Sequence, residues 1–418
     1  MSEKFPTLKD DYLSLLKDPR PLVDMGLVHD SSAIQSDRPF AGKDIDRAWA
    51  QLRLESTVMA AIDKDEPLDI SSNLRKEIIE GEGSQQFALD ENSKDLLAAL
   101  ELLELQFPIP YLVADFPLAY PFNAATLPRP NSNSPIGALV LINRGLTDMI
   151  WLAAKLFSIG INIQVMNGEE TISAHESLPI NKEDIADWLA RIVLAYLRDK
   201  NAHFAGRLLP SFGAARTTFA ALLTNECTKF VLAHEFSHII AGHLTNDASV
   251  PGADDPDGYL IYKVLEHIFL DLSEKTSGVI RIIGRSTEHI TRKWYQEIDA
   301  DLLGLKILFA CIASREGQKV SIEARNPLFE FIAAAPFLLL ALEELITEVE
   351  KARNGHRNTI FLTTHPPSGL RTEFVKRTYN AWGFPQLPHV ANELVNWFSG
   401  IQEQVVETVL KLTLKGSP

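Results

Sequence analysis

The sequence predicts an α+β fold that is mostly helical and carries a small β-sheet. Three long segments have apolar residues at the 3.6-residue spacing of a helix, namely residues 181–199, 217–243 and 287–310. Residues 136–144, which read IGALVLINR, are instead rich in β-branched and aliphatic residues and predict a strand. Long helices with few strands indicate this fold class.

The composition is that of an ordinary globular protein, with 46% hydrophobic and 23% charged residues among 418. A formal net charge of −15 argues against a nucleic-acid binder, which needs a basic surface. Cys227 and Cys311 are too few for a disulfide framework and predict buried, inert thiols in a reducing compartment. There is no secretory signal pattern, and the longest apolar run, at 331–342, is shorter than the ~20 residues of a membrane span. We therefore expect a cytoplasmic protein without a membrane span.

The first 130 residues are predicted to be an N-terminal helical extension of unknown role. Within them, residues 93–105 have strong helical periodicity. Residues 108–130 contain six prolines, which indicates a boundary more than a regular element. The main domain would then span residues 131–380, and residues 381–418 would be a C-terminal helical tail packed on it.

Strands and helices alternate at the start of this main domain. The strand at 136–144 leads into an apolar helix at 146–158 and a second strand at 161–166. The helix at 181–199 has acidic residues in its first turn, which favour a helix N-terminus. The polar, acidic loop at 245–258 is either a mobile lid or a solvated connector. Further helical patterns cover residues 259–273, 287–310, 327–351 and 391–414.

His234, Glu235 and His238 spell HExxH within the apolar helix at 217–243. Residues four apart on a helix lie on the same side, about 40° apart at roughly 3.6 residues per turn. The two imidazoles can therefore point at one metal ion, with Glu235 beside them where it could reach a water molecule on that ion. The alternative is a helix with two chance histidines and an exposed Glu.

Residues 296–304, which read QEIDADLLG, supply a third candidate ligand on a second helix. Glu297 would be the third protein ligand and would leave one coordination position open for water, as catalytic zinc sites require. Asp301 lies one turn later on the same face, where it can accept the outer ring N–H of a ligating histidine. Asp299 lies about 200° round the helix from Glu297, at ~100° per residue, and is a poorer candidate for either role.

The metzincin pattern is excluded as a source of the third ligand. It requires Gly at 241 and His at 244, where this chain has Ala241 and Leu244. His243 would lie about 140° round the helix from His238 and is not a natural ligand. No role is assigned to four histidines: His203, His243, His267 and His289.

Residues 363–371 read TTHPPSGLR and contain a third motif, in which His365 precedes two prolines and Arg371 follows six residues later. HEFSH, then EIDAD, then THPPxxxR resemble, in that order, the gluzincin metallopeptidases of the HtpX and CaaX-prenyl-peptidase family. The resemblance covers roughly residues 136–371. It implies a zincin-like metallopeptidase fold with a small β-sheet and an active-site helix.

The resemblance also implies a metal centre. One Zn²⁺ per chain would be bound by His234, His238 and Glu297, and Asp301 would support the ligands from outside. The function implied is that of a zinc-dependent endopeptidase, a hydrolase acting on a peptide or protein substrate.

Catalysis would use further residues of the same motifs. Glu235 would be the general base, and His365 and Arg371 would hold the substrate or the oxyanion of the transition state. The strand at 136–144 would match the edge strand that aligns an extended peptide.

Two departures from the family keep alternatives open. Members commonly carry transmembrane helices, and none is predicted for this chain. Residues 1–130 and the loop at 245–258 also have no recognisable counterpart. The alternatives are a catalytically silent zincin-fold interaction or regulatory protein and a phage-exclusion peptidase of the Lit type. A structural zinc site is a poor fit, because such sites favour four protein ligands, often cysteines. The oligomeric state and the cleavage specificity are not predicted.

Overall fold

The computed structural model describes residue 8 and residues 85–116, 124–128, 137–160, 164–167, 170–173, 181–199, 214–244, 255–275, 287–315, 327–355 and 365–415. Most of the predicted N-terminal extension lies outside these residues. So does most of the loop at 245–258, whose role as a lid stays a prediction.

A three-stranded sheet has the order β1-β3-β2, with β1 at Tyr111–Phe116, β2 at Ala124–Pro128 and β3 at Ala138–Asn143. β3 pairs in parallel with β1 and antiparallel with β2. The predicted strand is therefore confirmed, but its predicted place at the sheet edge is wrong. All six residues of β3 are buried, as expected of a central strand with its faces covered.

The proline-rich segment, expected to be a boundary, contributes β1 and β2. Its prolines lie before, between and at the ends of these strands, so they delimit the strands without interrupting them. Pro128 ends β2, where its missing N–H costs no interior ladder bond. Among the described strands β2 is an edge strand, and it lies on the side of the sheet away from β1.

Nine helices are described, and those predicted from periodicity are present with ends shifted by at most eight residues. They are α1 (Gln85–Leu102), α2 (Arg144–Gly160), α3 (Lys182–Asp199), α4 (Ala214–Ile240), α5 (Pro256–Lys275), α6 (Thr287–Arg315), α7 (Pro327–Arg353), α8 (Ser368–Ala381) and α9 (His389–Lys415). Two further strands, β4 (Gln164–Asn167) and β5 (Glu170–Ser173), pair antiparallel. The α+β, mostly helical class is thus confirmed. None of the helices in the described ranges is both long enough and apolar enough to cross a bilayer.

Helix α4 is the centre of the main core. It is contacted by α1, α2, α6 and α7, and by β2 and β3. Phe230, Leu232, Ala233 and Phe236 on α4 are fully buried, which is typical of a helix surrounded by others. A helix held on all sides is a rigid carrier for functional side chains.

Helix α6 crosses α4 very closely at Gly304. A Cβ at this position would lie 2.9 Å from the backbone nitrogen of His234. The absent side chain therefore allows the two helices to approach at the HExxH motif. A second, smaller core between α5 and α6 holds the other side of α6, through residues such as Tyr262, Phe269 and Trp294.

Candidate metal centre and active site

Three side chains from α4 and α6 converge at the crossing of these helices. The Nε2 atoms of His234 and His238 lie 3.1 Å apart. The carboxylate oxygens of Glu297 lie 3.5 Å from Nε2 of His234 and 3.8 Å from Nε2 of His238. All the potential ligand atoms lie within 4.8 Å of one another, so the group could hold a metal ion. Two imidazole nitrogens and one carboxylate are a donor set that suits zinc.

Burial and electrostatic interactions with one another shift the pKa values of these three side chains. Burial lowers the pKa of His238 well below its usual value, and the charge of Glu297 offsets only part of this. Burial also opposes the charge of His234, but hydrogen bonds to Asp301 and Glu297 outweigh it and raise the pKa of His234 to about 10. Burial opposes ionisation of Glu297, yet the imidazoles of His365 and His234 hold its pKa well below the usual range. The shift for Glu297 favours the ionised carboxylate that a metal ligand needs, and metal binding would compete with protonation of His234.

Asp301 and Arg371 lie behind His234. The ring Nδ1–H of His234 donates to Oδ1 of Asp301 at 2.9 Å. Arg371 donates to both oxygens of Asp301, from Nε at 2.7 Å and Nη2 at 2.8 Å, and from Nη1 to Glu343 at 3.0 Å. Burial opposes the charge of Asp301, but Arg371 outweighs it and lowers the pKa of Asp301.

This geometry differs from the predicted contact between Arg371 and the substrate. The guanidinium is buried, and its N–H groups are directed at Asp301 and Glu343. An arginine that is always charged and makes a bidentate bond fixes the carboxylate of Asp301, and through it the ring of His234.

His365 lies on the open side of the three candidate ligands. Its Nε2 is 3.8 Å from Oε1 of Glu297, and 61% of its side chain is exposed. Two prolines separate it from the first turn of α8, which begins at Ser368. A residue that precedes a proline has a restricted backbone conformation, so the position of His365 depends on the position of α8.

Glu235 is buried beside the ligands and is held by β2. Its Oε2 accepts a hydrogen bond from the hydroxyl of Thr126 at 2.7 Å. Burial raises the pKa of Glu235, although the charge of His234 and the bond from Thr126 act in the opposite direction. Thr126 was not found from the sequence, because residues 108–130 give no local signal that a strand returns to α4.

His243 and Asp299 were not assigned roles from the sequence, yet they contact the site. Nδ1 of His243 lies 3.0 Å from Nδ1 of His238, and Nε2 of His243 lies 3.2 Å from Asp299. The expected 140° position of His243 is wrong, because α4 ends at Ile240. Gly242, inside the segment predicted to be helical, was the sequence signal for this earlier end, because a glycine often follows the last turn of a helix.

The family model of peptidase family M48 matches residues 184–379. The match runs from α3 to α8 and includes every candidate site residue except Thr126. No curated protein and no solved structure matches the chain.

Proposed function

Residues 184–379 match the model of peptidase family M48, and on this premise we propose that the protein is a zinc-dependent endopeptidase with a zincin-like fold. The observation that carries the proposal is the convergence of His234, His238 and Glu297, whose ligand atoms lie within 4.8 Å of one another. Glu235, a buried carboxylate, lies next to the two histidines on α4.

Zinc fits the residues present. Three protein ligands with mixed nitrogen and oxygen donors leave one position open, as in catalytic zinc sites. The outer nitrogens of both histidines have hydrogen-bond partners, which fixes the orientation of each ring. When bound here, zinc would polarise the scissile carbonyl and lower the pKa of a water molecule towards about 7.

Glu235 is the proposed general base. It would take the proton of the attacking water and then deliver it to the leaving amine. The raised pKa of Glu235 supports the role, because such a carboxylate holds a proton more readily between the two transfers. The hydroxyl of Thr126 fixes one carboxylate oxygen, which leaves the other to face the water.

His365 is the proposed donor to the oxyanion. It is exposed on the open side of the ligands, close to Glu297, where a developing negative charge can be reached. Arg371 is proposed to act only through Asp301, since its guanidinium is buried behind His234.

The proposed substrate is an extended segment of a peptide or protein. Such a segment can pair with the edge of a sheet, where backbone N–H and C=O groups supply hydrogen bonds. Among the described strands, β2 has this position, and Thr126 joins it to the base. We therefore place the scissile bond beside β2 and not beside the central strand β3.

Two variants test the proposal. Purified wild-type protein should contain about one zinc ion per chain by elemental analysis, and Glu297→Ala should lose it. Glu235→Gln should retain zinc and lose hydrolysis of a peptide library. Wild-type turnover by Glu235→Gln would remove this residue from the mechanism. A folded wild type that takes up no zinc would contradict the proposal and favour the regulatory alternative.

A further inference from the structure

His238 contacts two groups through its two ring nitrogens. Its Nε2 faces His234 and Glu297, on the side of the candidate metal centre. Its Nδ1, on the other side of the ring, lies 3.0 Å from Nδ1 of His243. His243 is therefore outside the ligand group and behind the ring of His238.

The end of helix α4 explains how His243 reaches this position. Gly242 has a φ of 71°, a left-handed conformation that glycine adopts without a steric penalty. The N–H of Gly242 donates to the carbonyl of Ile239 at 3.2 Å, and the N–H of His243 donates to the carbonyl of His238 at 2.9 Å. These two bonds form a Schellman motif, which reverses the chain immediately after the helix. The reversal folds the imidazole of His243 back onto His238.

The hydrogen bonds allow a single set of tautomers once His238 binds a metal through Nε2. Neutral His238 then carries its proton on Nδ1 and donates it to Nδ1 of His243. Neutral His243 in turn carries its proton on Nε2 and donates it to the carboxylate of Asp299 at 3.2 Å. Each N–H group in this chain of contacts thus has an acceptor, and the last acceptor is the carboxylate of Asp299.

Helix α6 supplies a carboxylate for each histidine. Asp301 accepts from His234 directly, whereas Asp299 reaches His238 through His243. The side chain of His243 is only 7% exposed, while that of Asp299 is 32% exposed. A buried imidazole between a candidate ligand and a carboxylate has a restricted orientation.

We propose that His243 and Asp299 are positioning residues that hold His238 in the tautomer and orientation that bind zinc. This inference rests on the proposed zinc site. Outer partners of ligating histidines fix the ring and raise its basicity, and their loss weakens metal affinity by about 10–100-fold.

Three substitutions of His243 separate this role from simple packing. His243→Leu removes both nitrogens at a similar size. His243→Asn places an amide where Nδ1 was and keeps an acceptor for His238. His243→Gln places its amide where Nε2 was, which keeps a partner for Asp299 but not for His238.

The measurements are the zinc dissociation constant by competition with a chelator and the visible spectrum of the cobalt-substituted protein. His243→Leu and His243→Gln should bind zinc about 10–100-fold more weakly and show an altered cobalt spectrum. His243→Asn should bind within a few-fold of wild type. Asp299→Ala should weaken binding in the same direction, and should add little to His243→Leu because both act through one chain of contacts.

Controls distinguish the possible failures. Thermal unfolding of the metal-stripped proteins identifies variants whose fold is disturbed, and Asp299→Ala, at a half-buried position, then provides the decisive comparison. Wild-type zinc affinity and cobalt spectra in both His243→Leu and Asp299→Ala would overturn the inference and leave the zinc site standing. Failure of the wild type itself to bind zinc would instead overturn the proposed function together with this inference.

Discussion

A single hydroxyl on β2 stabilises the proposed general base. Glu235 is buried, and a buried carboxylate without a hydrogen bond is costly. Thr126 supplies that bond from a strand more than a hundred positions away in the chain. The same contact joins β2, at the edge of the sheet, to the active-site helix α4. The position of the base and the position of the proposed substrate therefore both depend on Thr126.

We expect Thr126→Val, which keeps the shape of the side chain but removes the hydroxyl, to lower kcat by about 10–100-fold. A hydrogen bond to a charged group contributes about 1.5–3 kcal/mol, and 1.4 kcal/mol corresponds to a tenfold change in rate. Because the hydroxyl lowers the pKa of Glu235, its loss should also move the acidic limb of the pH–rate profile to higher pH.

Peptide hydrolysis measured as kcat and KM across pH checks this. Thr126→Ser is the matched control and should restore most of the activity, because it keeps the donor. Equal rates for the Val and Ser variants would show that the hydroxyl does not act on Glu235.

At the scale of elements, the metal centre depends on how closely α6 approaches α4. Gly304 makes this approach possible, because an added Cβ would lie 2.9 Å from the nitrogen and 3.1 Å from the Cα of His234. These are backbone atoms, which cannot move aside as the end of a flexible side chain can. Glu297 and Asp301 lie on the same helix as Gly304, so a displaced helix would move both.

Gly304→Ala should therefore destabilise the fold by about 1–3 kcal/mol, the usual cost of overpacking, and weaken zinc binding. Gly400→Ala on α9 is the control, since among the described residues its Cβ would meet the flexible end of one side chain, Nζ of Lys182, at 3.6 Å. That control should be neutral or slightly stabilising, because alanine favours a helix over glycine. Denaturant unfolding and zinc titration of both variants are the measurements, and equal behaviour would contradict the close-approach argument.

Helix α8 is joined to α6 by the buried pair of Arg371 and Asp301. The pKa of Asp301 is lower in the folded protein than its ordinary value of 3.8. Its ionised form therefore stabilises the fold above about pH 4, and this contribution is lost as the pH falls through the folded-state pKa.

Arg371→Met should cost about 3–5 kcal/mol at neutral pH, because it leaves Asp301 charged and buried with one partner fewer. The variant should also lose less stability than wild type on acidification below pH 4, since the pKa of Asp301 is no longer held down. Arg377→Met, which breaks an exposed pair with Glu373 on the same helix, should change stability by at most about 1 kcal/mol. Parallel acid-unfolding curves for Arg371→Met and wild type would contradict this account.

At the scale of the whole molecule, sequence patterns predicted the parts of the candidate site that depend only on the spacing of residues along one helix. His234 and His238, and Glu297 and Asp301, are each four apart on a helix, so periodicity alone placed each pair on one face. Thr126 reaches Glu235 through the packing of β2 against α4, and local patterns do not specify a contact between segments more than a hundred positions apart. His243 was misplaced for a different reason, because a helical angle has no meaning beyond the glycine that ends the helix.

The division of the chain at residue 130 stays a prediction, but α1 packs into the core that holds the site. Lys229, fully buried on α4, pairs with Asp95 of α1 at 3.1 Å and with Glu226 at 3.2 Å. Leu96 on α1 is fully buried in the same cluster as the residues of α4. Stability of α1 and of the metal centre should therefore be coupled.

Leu96→Ala tests this coupling, and should cost about 2–5 kcal/mol by leaving a cavity in the shared core. Lys94→Ala is the control, because Lys94 is exposed and pairs with Glu91 on the same face of α1; we expect a change within about 0.5 kcal/mol. Denaturant unfolding should be followed by circular dichroism and by zinc release. Coupling predicts that both signals shift together in Leu96→Ala, since loss of the shared core unfolds α1 and the metal centre in one transition. Zinc release at the wild-type denaturant concentration, with an earlier change in circular dichroism, would show that α1 unfolds as a separate unit.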